Sequence, residues 1–297
     1  MATQSWSTPI DHSSDAGFRT WGAELQTKFL AAGLVQTADT GQINWSTVTR
    51  PATSTDAGYE IYYLNDSLFA TAPIYLKIFY GTGQSLVANY AGLRVQIGTG
   101  TNGAGALTGT TSTAQAVVTL TQADINASFQ SFLCVTAGFV GLVWKKGSNG
   151  TLYAAGGFVI CRSVDSSGAI TALGAFIYTS TGLNNPAALT FNQSLRFAST
   201  SVAYTPSINP AATVPGAQPA STVGTDTQAY LFWMLTPQVA PVFGMCVAFI
   251  SEIGESSTFS ATLIGTAAHT YIQTGRQLGT GWNSAVPVNQ GMCMLWE

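Results

Sequence analysis

The chain has 297 residues, 46% of them hydrophobic, which is enough for a sizeable core. Charged residues make up only 8%, where an ordinary soluble chain has about 25%; Gly, Ser, Thr, Ala, Asn and Gln fill their places. A net charge of −3 with no basic cluster beyond Lys145-Lys146 excludes a nucleic-acid footprint, and a surface this neutral predicts a protein covered by copies of itself or by partners.

The first residues, MATQSWSTPIDHSS, have neither a basic segment nor an apolar run, so they read as an arm and not as a signal peptide. Ser14-Asp15 can cap a helix that carries Phe18, Trp21, Leu25 and Phe29 at three- and four-residue spacing, with Gly33 placed to end it. Arm and helix together make a segment over residues 1–35, and the four-residue stripe is the candidate assembly face. The stripe needs a cover, either the chain's own β domain or a neighbouring subunit.

After Gly33 the pattern becomes β. Strands are predicted over 42–49, 58–65, 72–81, 93–98, 116–121, 131–146, 152–165, 169–179 and 194–200. Residues 145–150 read as a hairpin loop. The spacing suggests an antiparallel β-sandwich or barrel, jelly-roll-like, and not βαβ units; it fills a β domain over 36–200. Residues 201–228 hold Pro206, Pro210, Pro215 and Pro219 among small residues and read as a long loop or linker. Residues 229–297 return to β and are too few for an independent core, so they are expected to complete the first domain. Within them, 229–250 carries no charge and is long enough for a membrane span. Pro237 and Pro241 make two strands joined at Thr-Pro-Gln the better reading, so no membrane partner is expected.

Several motifs imitate chemistry. Asp39-Thr40-Gly41 is the tripeptide of aspartic proteases, but such an enzyme needs a second loop to share a proton, and the only other Asp-Thr is Asp226-Thr227-Gln228. A turn with Gly41 at positive φ explains it instead. Gly98-Thr-Gly100-Thr-Asn-Gly103 matches a dinucleotide fingerprint, with Asp124 downstream, yet no helix follows to face a pyrophosphate. His12 and His269 are far apart, and Glu252 and Glu255 read as solvated turn residues. Cys134, Cys161, Cys246 and Cys293 show no zinc spacing and read as mostly buried thiols. Trp144, Tyr153, Trp282 and Trp296 are candidates for stacking on sugars, though most such rings are core. No catalytic residue, metal ligand set or cofactor site is expected.

The block from Phe18 to Gly81, carried by FRTWGAELQTKFLAAGLVQTADTGQINWSTVTRP and AGYEIYYLNDSLFATAPIYLKIFYGTG, resembles virion structural proteins of tailed bacteriophages. The resemblance implies a non-enzymatic, tail- or fibre-associated component found in the virion, whose partners are copies of itself and other virion proteins. A receptor- or glycan-binding module at the tail tip, with a host surface receptor or glycan as partner, and a capsid decoration protein are the alternatives it leaves open. It carries over no catalytic residue.

Overall fold

A computed structural model describes residues 2–9, 14–51, 55–81, 92–109, 111–119, 128–148, 151–165, 167–179, 219–223, 227–234, 240–249, 258–261, 269–277 and 290–297. The fold is mainly β, with one helix among these residues and every strand pairing antiparallel.

Helix α1 (Asp15–Ala32) forms where the sequence places it. The Ser14 hydroxyl accepts the Gly17 N–H at 3.0 Å, satisfying one of the first-turn donors that have no partner within the helix. Gly33 ends the helix at φ 105°, a left-handed conformation that costs glycine nothing. Phe18, Trp21, Leu25 and Phe29 are 0%, 5%, 2% and 0% exposed and lie in the chain's own core. This corrects the candidate assembly face: the stripe is consumed inside the protein, where each side chain contributes about 1.5–3 kcal/mol of burial.

The strands are β1 (Ala2–Pro9), β2 (Leu34–Gln36), β3 (Asp56–Leu64), β4 (Tyr75–Gly81), β5 (Gly92–Gly98), β6 (Gly100–Thr101), β7 (Leu107–Thr108), β8 (Gln115–Thr119) and β9 (Ser128–Thr136). They continue with β10 (Phe139–Ser148), β11 (Thr151–Val164), β12 (Ile170–Thr179), β13 (Pro219–Val223), β14 (Thr227–Met234), β15 (Ala240–Phe249), β16 (Thr258–Ala261), β17 (His269–Gln277) and β18 (Gln290–Leu295). One run of the sheet reads β2-β3-β4-β5-β8-β11-β10-β9-β1. Both of its ends, β1 and β2, touch α1, as does β9, so the sheet curls around the helix and buries the aromatic stripe.

A second run, β13-β14-β15-β18-β17-β16, joins the first where Ser163 of β11 pairs with Val242 of β15. The hairpins around β10 are buried on both faces. Leu133, Val140, Leu142, Trp144 and Ile160 point into the helix-side core. The alternate residues Phe132, Cys134, Phe139, Val143 and Cys161 are buried too, and the rings of Phe132 and Trp296 meet edge-on at 5.6 Å. Two-sided burial explains why this part of the sequence is apolar without alternation.

Some expectations shift. Residues 42–49 form a loop, not a strand, because Asn44 turns the chain: its side-chain oxygen accepts the Ser46 N–H at 3.0 Å and its carbonyl accepts those of Thr47 and Val48. Trp45 is thereby aimed inward, and Gly22 makes room for it, since a Cβ there would sit 2.0 Å from the indole. The expected arm contains β1, in register with β9 over its whole length. The loop expected at 145–150 is shorter, because β10 and β11 stay paired as far as Ser148 and Thr151. Residues 229–250 hold paired strands, with Ala229 opposite Ala248. No helix among the described residues is long and apolar enough to cross a membrane. The strand expected at 194–200 and residues 201–218 lie outside the described residues, and β13 occupies part of the remainder of 201–228.

Candidate functional site

The strands β3, β4 and β5 carry chemistry on both faces. Alternation turns Glu60, Tyr62, Ile78, Tyr80 and Val95 towards α1, and Tyr59, Tyr63, Tyr75, Lys77, Phe79 and Arg94 away from it. Cross-strand partners on the outer face are Tyr63 with Tyr75, Tyr59 with Phe79 and Phe79 with Arg94.

Under the helix, the Glu60 carboxyl is 0% exposed. The Trp45 indole N–H donates to its Oε1 at 3.1 Å, the Tyr62 hydroxyl donates to Oε2 at 2.8 Å, and the Tyr80 hydroxyl donates to the same Oε2. Burial pushes the carboxyl above its ordinary range; the donors from Tyr80, Tyr62, Trp45 and Gln26 pull the other way and do not cancel it. Edge-to-face packing of Trp45 and Tyr80, with ring centroids 4.7 Å apart, closes the cage.

On the outer face, the two motifs that imitate enzyme signatures meet. Asp39 is 7% exposed, and its Oδ1 accepts the Thr101 hydroxyl and, at 3.0 Å, the Gly105 N–H. The Thr40 N–H donates to the Gly103 carbonyl at 3.0 Å, and Gly41 turns the chain at φ 79°. Burial raises the Asp39 carboxyl, but the Thr101 hydroxyl and the backbone amides outweigh it and hold the group below its ordinary value. A carboxylate fixed in this way serves as a clamp between loops. The glycine-rich stretch holds the short hairpin β6–β7, not a helix N-terminus.

The clamp lies over a ladder of rings and cations. The Lys77 ammonium lies 3.7 Å from the Tyr59 ring centroid and 4.6 Å from that of Phe79, and donates to the Gly105 carbonyl. Arg94 stacks 4.8 Å from Phe79 and pairs with Asp56. Beyond Lys77, the Tyr63 and Phe69 rings stack at 4.5 Å and 28°, with Tyr75 tilted 5.8 Å and 5.9 Å from them. All three rings are half-buried.

The remaining candidates are not drawn into this site. Trp144, a candidate for sugar stacking, is 1% exposed and belongs to the core. Trp296 packs on Phe132, and the Tyr153 side chain and Trp282 lie outside the described residues. His269 pairs with Glu297 through Nδ1 at 2.8 Å. His12, Asp124, Asp226, Glu252 and Glu255 lie outside the described residues. Cys134, Cys161 and Cys293 are buried thiols, and burial pushes that of Cys134 up to about 12. No group of three or more metal-ligating side chains occurs among the described residues. Sequence reasoning missed Glu60 and also the buried pair in which Arg162 holds Asp66 through Nε at 2.6 Å and the Ala72 carbonyl through Nη2 at 2.8 Å. No family model, curated protein or solved structure matches the chain.

Proposed function

We propose that this chain is a structural component of a tailed-phage virion, tail- or fibre-associated, that acts through contacts with copies of itself and with other virion proteins. The observation that carries the reading is where the scarce charge goes. Ten Lys and Arg and thirteen Asp and Glu are all that the chain has. The side chains of Glu60, Arg162 and Asp66 are spent in the interior and that of Asp39 beneath the β6–β7 hairpin, which leaves the exterior poorer in charge than composition alone implies. A lone soluble protein uses interspersed charges to stay apart from its neighbours. A subunit of an assembly has that surface covered and does not need them. The resemblance over residues 18–81 supports the phage setting, and its helix and strands are those that frame the Glu60 cage and the Asp39 clamp.

Light scattering on the purified protein, with negative-stain images, tests the assembly. A large defined oligomer is expected, and a well-behaved 31.0 kDa monomer at high concentration would overturn the reading. Peptide mass spectrometry of purified phage particles tests the location; recovery only outside the particles would remove the virion role.

A further inference from the structure

We propose that Tyr63, Phe69 and Tyr75 form a platform for a neutral oligosaccharide. The site is separate from the assembly reading and does not depend on it. Its distinguishing feature is what the hydroxyls do. On β3 and β4, Tyr59 donates to the Thr40 carbonyl, and Tyr62 and Tyr80 donate to Glu60. Tyr63 and Tyr75 sit opposite each other in register, and among the described residues neither hydroxyl has a hydrogen-bond partner. Two adjacent phenols therefore offer donor and acceptor capacity beside a stacked aromatic surface that Phe69 extends.

A purely apolar protein partner would fit this surface poorly, because it would bury both hydroxyls unsatisfied. A sugar satisfies both halves of the surface: its C–H face lies on a ring and its hydroxyls exchange hydrogen bonds with the phenols. Charge selects a neutral ligand. The triad carries no carboxylate, ammonium or guanidinium, and the charges nearby are already engaged, Lys77 by the Gly105 carbonyl and the Tyr59 ring and Asp39 by Thr101 and Gly105. Burial, then Tyr63 and Asp39, hold the Tyr75 phenol above its ordinary value, so it stays a neutral donor and acceptor.

An array of neutral and acidic oligosaccharides, followed by titration calorimetry with the best neutral binder, tests the proposal. The wild type is expected to bind neutral members. Tyr75→Ala and Phe69→Ala should each weaken binding about tenfold, the loss of one ring contact, with the oligomer's mass unchanged. Tyr63→Phe and Tyr75→Phe keep the rings and should retain the melting temperature while weakening binding a few-fold, about the effect of one hydrogen bond. These two variants decide the matter if the alanine variants fail to fold. Binding of acidic sugars only, of no sugar, or unchanged binding in both phenylalanine variants would overturn the site. Loss of the oligomer in Tyr75→Phe without any sugar binding would assign the face to a second copy of the chain.

Discussion

Glu60 and Asp39 lie on opposite sides of the β3-β4-β5 part of the sheet, and the two regions treat a buried carboxyl in opposite ways. Beneath α1, Glu60 meets an indole and two phenols in a fully buried cage, and desolvation prevails. Beneath the β6–β7 hairpin, Asp39 meets a hydroxyl and backbone amides close to solvent, and the donors prevail. Both carboxyls are hydrogen-bonded. The difference lies in how much water the surroundings exclude and in how strongly the donor groups are polarised.

Mutations can break this contrast. The largest effect is expected from Glu60→Ala, which leaves a cavity and three donors without an acceptor. It should cost about 3–4 kcal/mol in urea denaturation, while Glu60→Gln, which keeps shape and one acceptor, should cost about 1 kcal/mol. Equal costs would mean that the cage acts through volume alone. Next comes Gly105→Ala. Its Cβ would sit 1.8 Å from the Tyr59 hydroxyl, at a backbone φ of 88°. A loss of about 2 kcal/mol is expected, with faster amide exchange confined to the hairpin; exchange that spreads to α1 would show that the two faces are not independent. Asp39→Ala, close to water, should cost about 1–2 kcal/mol.

The smallest and most discriminating effect is in pH. Glu60 has a raised pKa in the folded state, so its stabilisation is fully present below the unfolded value of about 4.3 and fades as pH rises through the folded pKa. Asp39 has a lowered pKa, so its stabilisation is present above about 3.9 and is lost as pH falls through the folded value. The stability of the wild type relative to Glu60→Gln should therefore decline with rising pH, and relative to Asp39→Asn with falling pH. Two curves of the same slope would refute the contrast.

The sequence made one of these carboxyls conspicuous and concealed the other. Asp39 stands out because Asp-Thr-Gly is a known tripeptide, and its turn was legible from Gly41. Its partner loop was not, because the contact with Thr101 and Gly105 crosses more than sixty positions and depends on tertiary packing. Glu60 left one faint signal: it shares parity with Tyr62 and Leu64, the buried face of β3. The helix was legible because cap, stripe and terminating glycine agree. What covers a stripe is not written in its periodicity, so the core and an assembly face look the same until the sheet is seen to curl around it. The loop at 42–49 resembles a strand in its short alternation, and Asn44 overrides that pattern with local hydrogen bonds.

The β9–β10 hairpin is covered by α1 and the curled sheet on one side and by β18 on the other. During synthesis the first cover is available early, but residues 290–296 are made long after the hairpin. Until then Phe132 and the buried thiol of Cys134 face water, a sticky surface on a half-built molecule. Completion of this wall is thereby tied to β18, and a nascent chain that stalls before it presents chaperones and proteases with an unfinished apolar wall.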